Sequence, residues 1–197
     1  SSRTGTASCY GVLVLEAGAE RILLALEGLV RANAIVSSED THRLAHDVGR
    51  QTARVFGLNG EAFLGCSTLF NYGCQHGFFE QALAESPDAT EAASRICSDL
   101  VEGHPTKTAF YCYHGVGHGV MMASAYDLDR ALAVCDSLGA ALASDGCWQG
   151  VFMENVNAVM RGEARAGVFS ETDPLAPCNR VAERHRWECY INHAGHL

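Results

Sequence analysis

The stretch Cys112-Tyr-His-Gly-Val-Gly-His118 decides the fold, because the chain carries two further versions of it. One is Cys74-Gln-His-Gly-Phe-Phe-Glu80 and the other is Cys147-Trp-Gln-Gly-Val-Phe-Met153. Each reads Cys-x-(His/Gln)-Gly-apolar, and their first residues lie 38 and 35 positions apart. A further 42 positions reach Cys189-Tyr-Ile-Asn. Going back 34 from Cys74 reaches Asp40-Thr-His-Arg-Leu-Ala-His46, which keeps the histidine and lacks the cysteine. A period of this length fits one helix pair per repeat.

The remaining cysteines fall between these starts. Nine are present and no two are spaced Cys-x-x-Cys, so the spacing of a zinc ribbon is absent. Disulfides in an oxidising compartment are the better reading, which places the protein outside the cell or in a periplasm. The simplest pairing joins a helix end to the next aligned start: 66–74, 97–112, 135–147 and 178–189, with Cys9 left over. It is one of about 105 connectivities open to eight cysteines.

Alternating apolar patterns are short, whereas helical periodicity recurs. Helices are expected over 20–32, 40–56, 74–85, 89–100, 115–125, 127–138, 150–160 and 178–190, with starts signalled by Ser38-Glu-Asp-Thr41 and Asp127-Leu-Asp129. The fold class is all-α, as disulfide-stapled helix pairs packed in a compact array or an α/α ring. The 197 residues suit a single domain, with repeat starts near 40, 74, 112, 147 and 189. The hydrophobic share of 48% supports a packed core. The net charge of −9, with no basic run, argues against a nucleic-acid surface. No run of 18 apolar residues occurs; the nearest, Leu13 to Val30, is broken by Glu16, Glu20, Arg21 and Glu27 and reads as an amphipathic helix. The opening Ser-Ser-Arg-Thr-Gly reads as a trimmed end.

Gly115-Val-Gly-His-Gly-Val, Asp127-Leu-Asp-Arg-Ala-Leu-Ala-Val-Cys135-Asp and Asp145-Gly-Cys147 resemble secreted, cysteine-rich, TPR-like helix-pair repeats over roughly residues 60 to 190. The resemblance implies a helix-end cysteine bonded to the next helix start. It bears on architecture and implies no activity.

The histidines carry the chemistry. The second position after each aligned start holds His42, His76, His114 and then Gln149; the sixth holds His46, Glu80, His118 and then Met153. Residues four apart share one helix face, about 6 Å from each other, so two imidazoles so placed can reach one ion. If these helices line one centre, the metal ligands are His42, His46, His76, Glu80, His114 and His118, enough for two ions about 3.5–4 Å apart. Asp47 and Glu154, one residue beyond the sixth position, are placed to orient ligands or to bridge. Gly77, Gly115, Gly117, Gly119 and Gly150 fall in the same segments, as expected for close helix approach or for crowding by the disulfide. His104, before Pro105, reads as a surface residue, and Tyr72, Tyr113, Trp148, Met121 and Met122 as core. His185, His193 and His196 have no clear assignment.

Histidine-dominated ligands in an oxidising compartment favour copper or iron, with zinc possible. Three functions follow: an oxidoreductase-type metalloenzyme, a zinc or manganese hydrolase with Glu80 or Asp47 as general base, or a non-enzymatic helical-repeat binding module whose histidines are structural. No phosphate loop, dinucleotide fingerprint or Gly-x-Ser-x-Gly is present, and nothing identifies a substrate.

Overall fold

The computed structural model describes residues 9–34, 38–86, 88, 90–93, 96–97, 106–139, 141–160, 170 and 172–194. Among them the structure is helical, with one isolated bridge between Ser170 and Asp173 and no strand. No described helix is long and apolar enough to cross a membrane. Two compact units divide the chain, Ser1–Ala82 and Leu83–Leu197. His104, Pro105, His196 and parts of the expected 89–100 helix lie outside the described residues.

In the first unit, α2 (Ala19–Arg31) is the helix expected over 20–32, and the start of the apolar run from Leu13 to Val30 belongs to a separate helix, α1 (Cys9–Ala17). Gly18 separates them at φ +77°, a conformation glycine adopts without a Cβ penalty. Both helices pack on α3 (Ser38–Phe56). The short α4 (Gly60–Leu64) follows, its first turn capped by the Asn59 side chain, which accepts from the Ala62 amide at 2.9 Å. Next comes α5 (Gly73–Glu85), whose end lies just past the first unit. Leu23, Val48, Phe63, Phe78 and Phe79 form the core, with Phe63 at 5.8 and 5.3 Å from the two phenylalanine rings of α5.

The second unit is organised on α6 (Thr106–Ala123) and α8 (Ala141–Met160), with α7 (Leu128–Asp136) and α9 (Arg186–His193) packed on α8. Asp127 caps α7 through the Arg130 amide, as its sequence signal indicates. Both α6 and α8 begin nine residues earlier than the expected starts at Gly115 and Gly150. In α6 and α8 the Cys-x-(His/Gln)-Gly motif therefore sits inside the helix, whereas its Cys74 copy opens α5. A helix between 178 and 190 is also not what forms. Residues 174–180 are turns, and α9 begins only at Arg186. Pro174 and Pro177 lack amide donors there, and Asp173 organises the turn by accepting from the Leu175 amide, Asn179 and Arg180. Met121 is core as expected, whereas Tyr72, Tyr113, Trp148 and Met122 are only partly covered.

The disulfides are Cys66–Cys74, Cys97–Cys112, Cys135–Cys147 and Cys178–Cys189, each within one unit, and they match the simplest pairing. Cys9 is free and exposed.

Each unit also contains a helix pair in direct backbone contact. A Cβ on Gly77 would stand 2.0 Å from the His46 carbonyl oxygen, and one on Gly49 would stand 1.9 Å from that of Cys74. In the second unit a Cβ on Gly150 would stand 2.0 Å from the His114 carbonyl and one on Gly117 2.1 Å from that of Cys147. The glycine Cα–H groups thus point at carbonyl oxygens of the facing helix, a weak hydrogen bond at the closest approach two helices allow. His42 faces Gly73 as His46 faces Gly77, and Phe110 faces Gly146 as His114 faces Gly150. The helices of each pair therefore run in the same direction.

Substitution at these contacts separates packing from propensity. Gly77→Ala and Gly150→Ala should each destabilise by about 3 kcal/mol or more, because a helix backbone must move. Gly28→Ala, in the middle of α2 with open space at its Cβ, should instead stabilise by roughly 0.5–1 kcal/mol. Chemical denaturation with disulfides intact measures both. A neutral Gly150→Ala would contradict the close contact.

Candidate metal centres

In the first unit α3 places His42 and His46 one turn apart, and the glycine contact brings His76 and Glu80 of α5 onto them. The three imidazole centroids are 4.5, 5.5 and 5.4 Å apart. One ring nitrogen from each of His42, His46 and His76 lies within 4.8 Å of the others, so the group could hold a metal ion. His76, Glu80 and His46 are 2, 8 and 9% exposed, and His42 is half-buried.

The hydrogen bonds fix how the pair is presented. His42 Nδ1 donates to the Phe70 carbonyl at 2.7 Å, since a carbonyl can only accept. His46 Nδ1 donates to Glu80 Oε1 at 2.5 Å. Glu80 is held as a carboxylate by Arg50, which also donates to Asp47 Oδ1 at 2.6 Å. Burial alone would lower the Arg50 pKa, but the Glu80 and Asp47 carboxylates outweigh it and raise the value. With both Nδ1 atoms carrying protons, the two Nε2 atoms present lone pairs, and they face each other at 2.9 Å. Two lone pairs at that distance repel unless a positive charge lies between them, a shared proton or a metal ion. Metal-bound histidines show the same pattern, with the second ring nitrogen donating to a carboxylate or backbone carbonyl.

Phe70 reaches His42 through unusual backbone. Phe70, Asn71 and Tyr72 have φ of 55, 51 and 62°, three successive left-handed residues none of which is glycine. Such residues persist where surrounding structure imposes them. Here the Cys66–Cys74 disulfide closes the loop that contains them.

The second unit repeats the device on α6 and α8. His118 Nδ1 donates to Glu154 Oε2 at 2.9 Å and His114 Nδ1 to Gln149 Oε1 at 3.0 Å, leaving the Nε2 atoms 3.2 Å apart. Two nitrogens bound tetrahedrally at 2.0–2.1 Å would lie roughly 3.3–3.4 Å apart, so this spacing needs little adjustment for an ion. Tyr126 donates to the other Glu154 oxygen at 3.4 Å. His118, Glu154 and His114 are 0, 1 and 5% exposed. Burial pushes the His114 pKa down to about 4, against the opposing pull of its Gln149 bond, so the ring is neutral at pH 7.

Among the described residues, two further histidine clusters are committed to other partners. Cys178, Cys189 and His193 lie close together, but the two sulfurs form a disulfide and His193 Nδ1 donates to the Cys189 carbonyl at 2.8 Å. His185 sits on Asp136, beside the Trp148 indole N–H and Arg184.

Of the six candidate ligands, the first unit brings together His42, His46, His76 and Glu80, and the second His114 and His118. Glu80 occupies the Nδ1 side of His46, the place Glu154 takes at His118. Asp47 lies beside Arg50. Glu154 was placed by the spacing as a ligand-orienting group. Gln149, which holds the histidine position of the aligned segments, accepts from His114. The Phe70 carbonyl is backbone and leaves no sequence signal. Arg50 stands four residues after His46, a spacing that could have revealed it.

In the metal-free protein, histidine side-chain nitrogen spectra should show protons on Nδ1 of His42, His46, His114 and His118, slow to exchange at all but His42. A His42 lacking the Nδ1 proton would contradict the geometry. Among known proteins, no family model, no curated protein and no solved structure matches this chain, and the two histidine centres rest on their own geometry.

Proposed function

We propose that this is an exported metal-binding protein of oxidoreductase type whose principal centre is His42, His46 and His76, with His114 and His118 forming a second. The observation that carries the reading is the commitment of both Nδ1 protons in each pair, to Phe70 and Glu80 in one and to Gln149 and Glu154 in the other. That commitment leaves Nε2 lone pairs converging on a point.

Copper is the ion best matched. The donor atoms that converge are imidazole nitrogens, and Glu80 and Glu154 each accept from a histidine Nδ1, which lowers the case for manganese or iron. Zinc shares the donor preference and is the competitor. A copper ion bound there would supply one-electron transfer. The chain's own residues orient and shield: Glu80 and Arg50 hold His46, Phe70 holds His42, and the closely packed helices keep water from the buried side. His42, His46 and His76 would hold the ion, and three protein ligands are the number found where a bound ion reacts with a further molecule. The hydrolase reading has less support, because Glu80 accepts from His46 and Arg50 and Asp47 accepts from Arg50, so neither carboxylate is poised as a general base. Four disulfides support an oxidising compartment.

Titration with copper(I), copper(II) and zinc against chelators of known affinity, with elemental analysis of the purified protein, tests this. Copper should bind at one equivalent or more. Affinity should fall as pH falls, because protons compete for the Nε2 atoms. His42→Ala with His46→Ala should weaken binding at least about 100-fold, beyond the loss expected for an orienting group alone. His114→Ala with His118→Ala should remove the second component, with all four disulfides retained. Binding of no ion, or equal binding by both double variants, overturns the proposal.

A further inference from the structure

We propose that the Cys66–Cys74 loop is a clamp that presets His42 as a ligand, with the Phe70 carbonyl as its positioning group. The inference rests on the first centre being a metal site, but its first readout does not. His42 is the least buried of the three imidazoles, on the outer side of the centre. A neutral histidine in that position can carry its proton on either nitrogen. With the proton on Nε2 it would donate to His46 Nε2, and no lone pair would be offered to an ion.

Three features of the loop select the other tautomer. The Phe70 carbonyl stands 2.7 Å from His42 Nδ1. The left-handed run Phe70–Asn71–Tyr72 turns that carbonyl inward, and the same oxygen accepts the Gly73 amide at 3.1 Å. Gly73, where the loop enters α5, lies directly against His42: a Cβ there would be 2.9 Å from the His42 carbonyl oxygen and 3.1 Å from its Nδ1. The loop is anchored by a disulfide whose cysteines are 2 and 0% exposed, so its ends are fixed within the core. A run of three left-handed residues costs several times the penalty of one, and the fold retains it where it aims a hydrogen-bond acceptor at a ligand. The second centre has no such clamp. His114 is oriented by the side chain of Gln149 from a facing helix, which makes it an internal control.

Asn71→Pro tests the clamp with the disulfide intact. Proline cannot adopt φ near +51° and also disfavours helical backbone at Phe70. Asn71→Gly, which keeps the left-handed region open, is the conservative partner. In metal-free protein, Asn71→Pro should shift His42 from the Nδ1-protonated to the Nε2-protonated tautomer, while the His46 Nδ1 proton on Glu80 persists and reports an intact α3–α5 pair. Asn71→Gly should leave His42 as in the parent. Copper affinity at the first centre should drop 10- to 100-fold in Asn71→Pro, the range seen when a ligand loses its orienting partner, with the second centre unchanged. Cys66→Ala with Cys74→Ala should reproduce the tautomer shift. If His42 keeps its Nδ1 proton in both variants, the clamp is refuted whatever the metal does. If the tautomer shifts but the parent protein binds no ion, the clamp stands and the metal reading fails.

Discussion

The contact on which the rest depends is glycine Cα–H against carbonyl oxygen. At Gly49 and Gly77 in one unit, and Gly117 and Gly150 in the other, two parallel helices meet with no side chain between them. At that separation Glu80 reaches His46 and Glu154 reaches His118 directly. An alanine at any of these positions would push the helices apart and lengthen the bond that orients the ring. Glycine inside a helix costs about 1 kcal/mol relative to alanine. Both units accept that cost several times, together with a disulfide entering the same segment.

Close approach then forces a choice of tautomer. A carboxylate or carbonyl on Nδ1 leaves only the lone pair on Nε2, and histidines one turn apart on one face direct those lone pairs at each other. The result is a pair of imidazoles that is unfavourable on its own and favourable around a cation. Burial sharpens this. It drives His114 toward its neutral form, so with Nδ1 donating to Gln149 the ring presents a lone pair on Nε2 at neutral pH. A histidine pair that served only to fill core would gain from the opposite arrangement, one Nε2–H donating to one Nε2 lone pair.

The sequence reading located the cysteine staples and the i, i+4 histidine pairs because both are local and periodic. The pairs 66–74 and 135–147 span short stretches bounded by turn residues, and His42/His46 and His114/His118 repeat the same spacing. Helix starts were misread where glycine was taken for a boundary. Gly115 and Gly150 lie well inside α6 and α8, and at Gly150 tertiary contact overrides propensity because the missing side chain is what permits the contact. At Gly18 the apolar run from Leu13 to Val30 continues across the break, and only the backbone turn, at φ +77°, divides it. The roles of Glu80 and Gln149 depend on which side of a ring they face. That is a matter of helix separation, which spacing along the chain does not encode.

The two centres use one geometry with different supports. The first is held by a backbone carbonyl and by a carboxylate shared with Arg50, and its outer histidine is half-buried. The second is held by an amide and by a carboxylate that Tyr126 also contacts, with every imidazole fully covered. A backbone carbonyl cannot be altered by side-chain substitution and cannot change its donor–acceptor character. An amide side chain can rotate by half a turn and offer N–H instead of C=O. The accessible histidine is therefore the one with the fixed acceptor, and the enclosed histidine the one with the adaptable acceptor. Solvent would otherwise compete for the orientation of His42, whereas dense packing already restrains His114. The left-handed turn at Phe70–Tyr72 stands beside the less buried of these histidines, and the disulfide-closed loop supplies the orientation there.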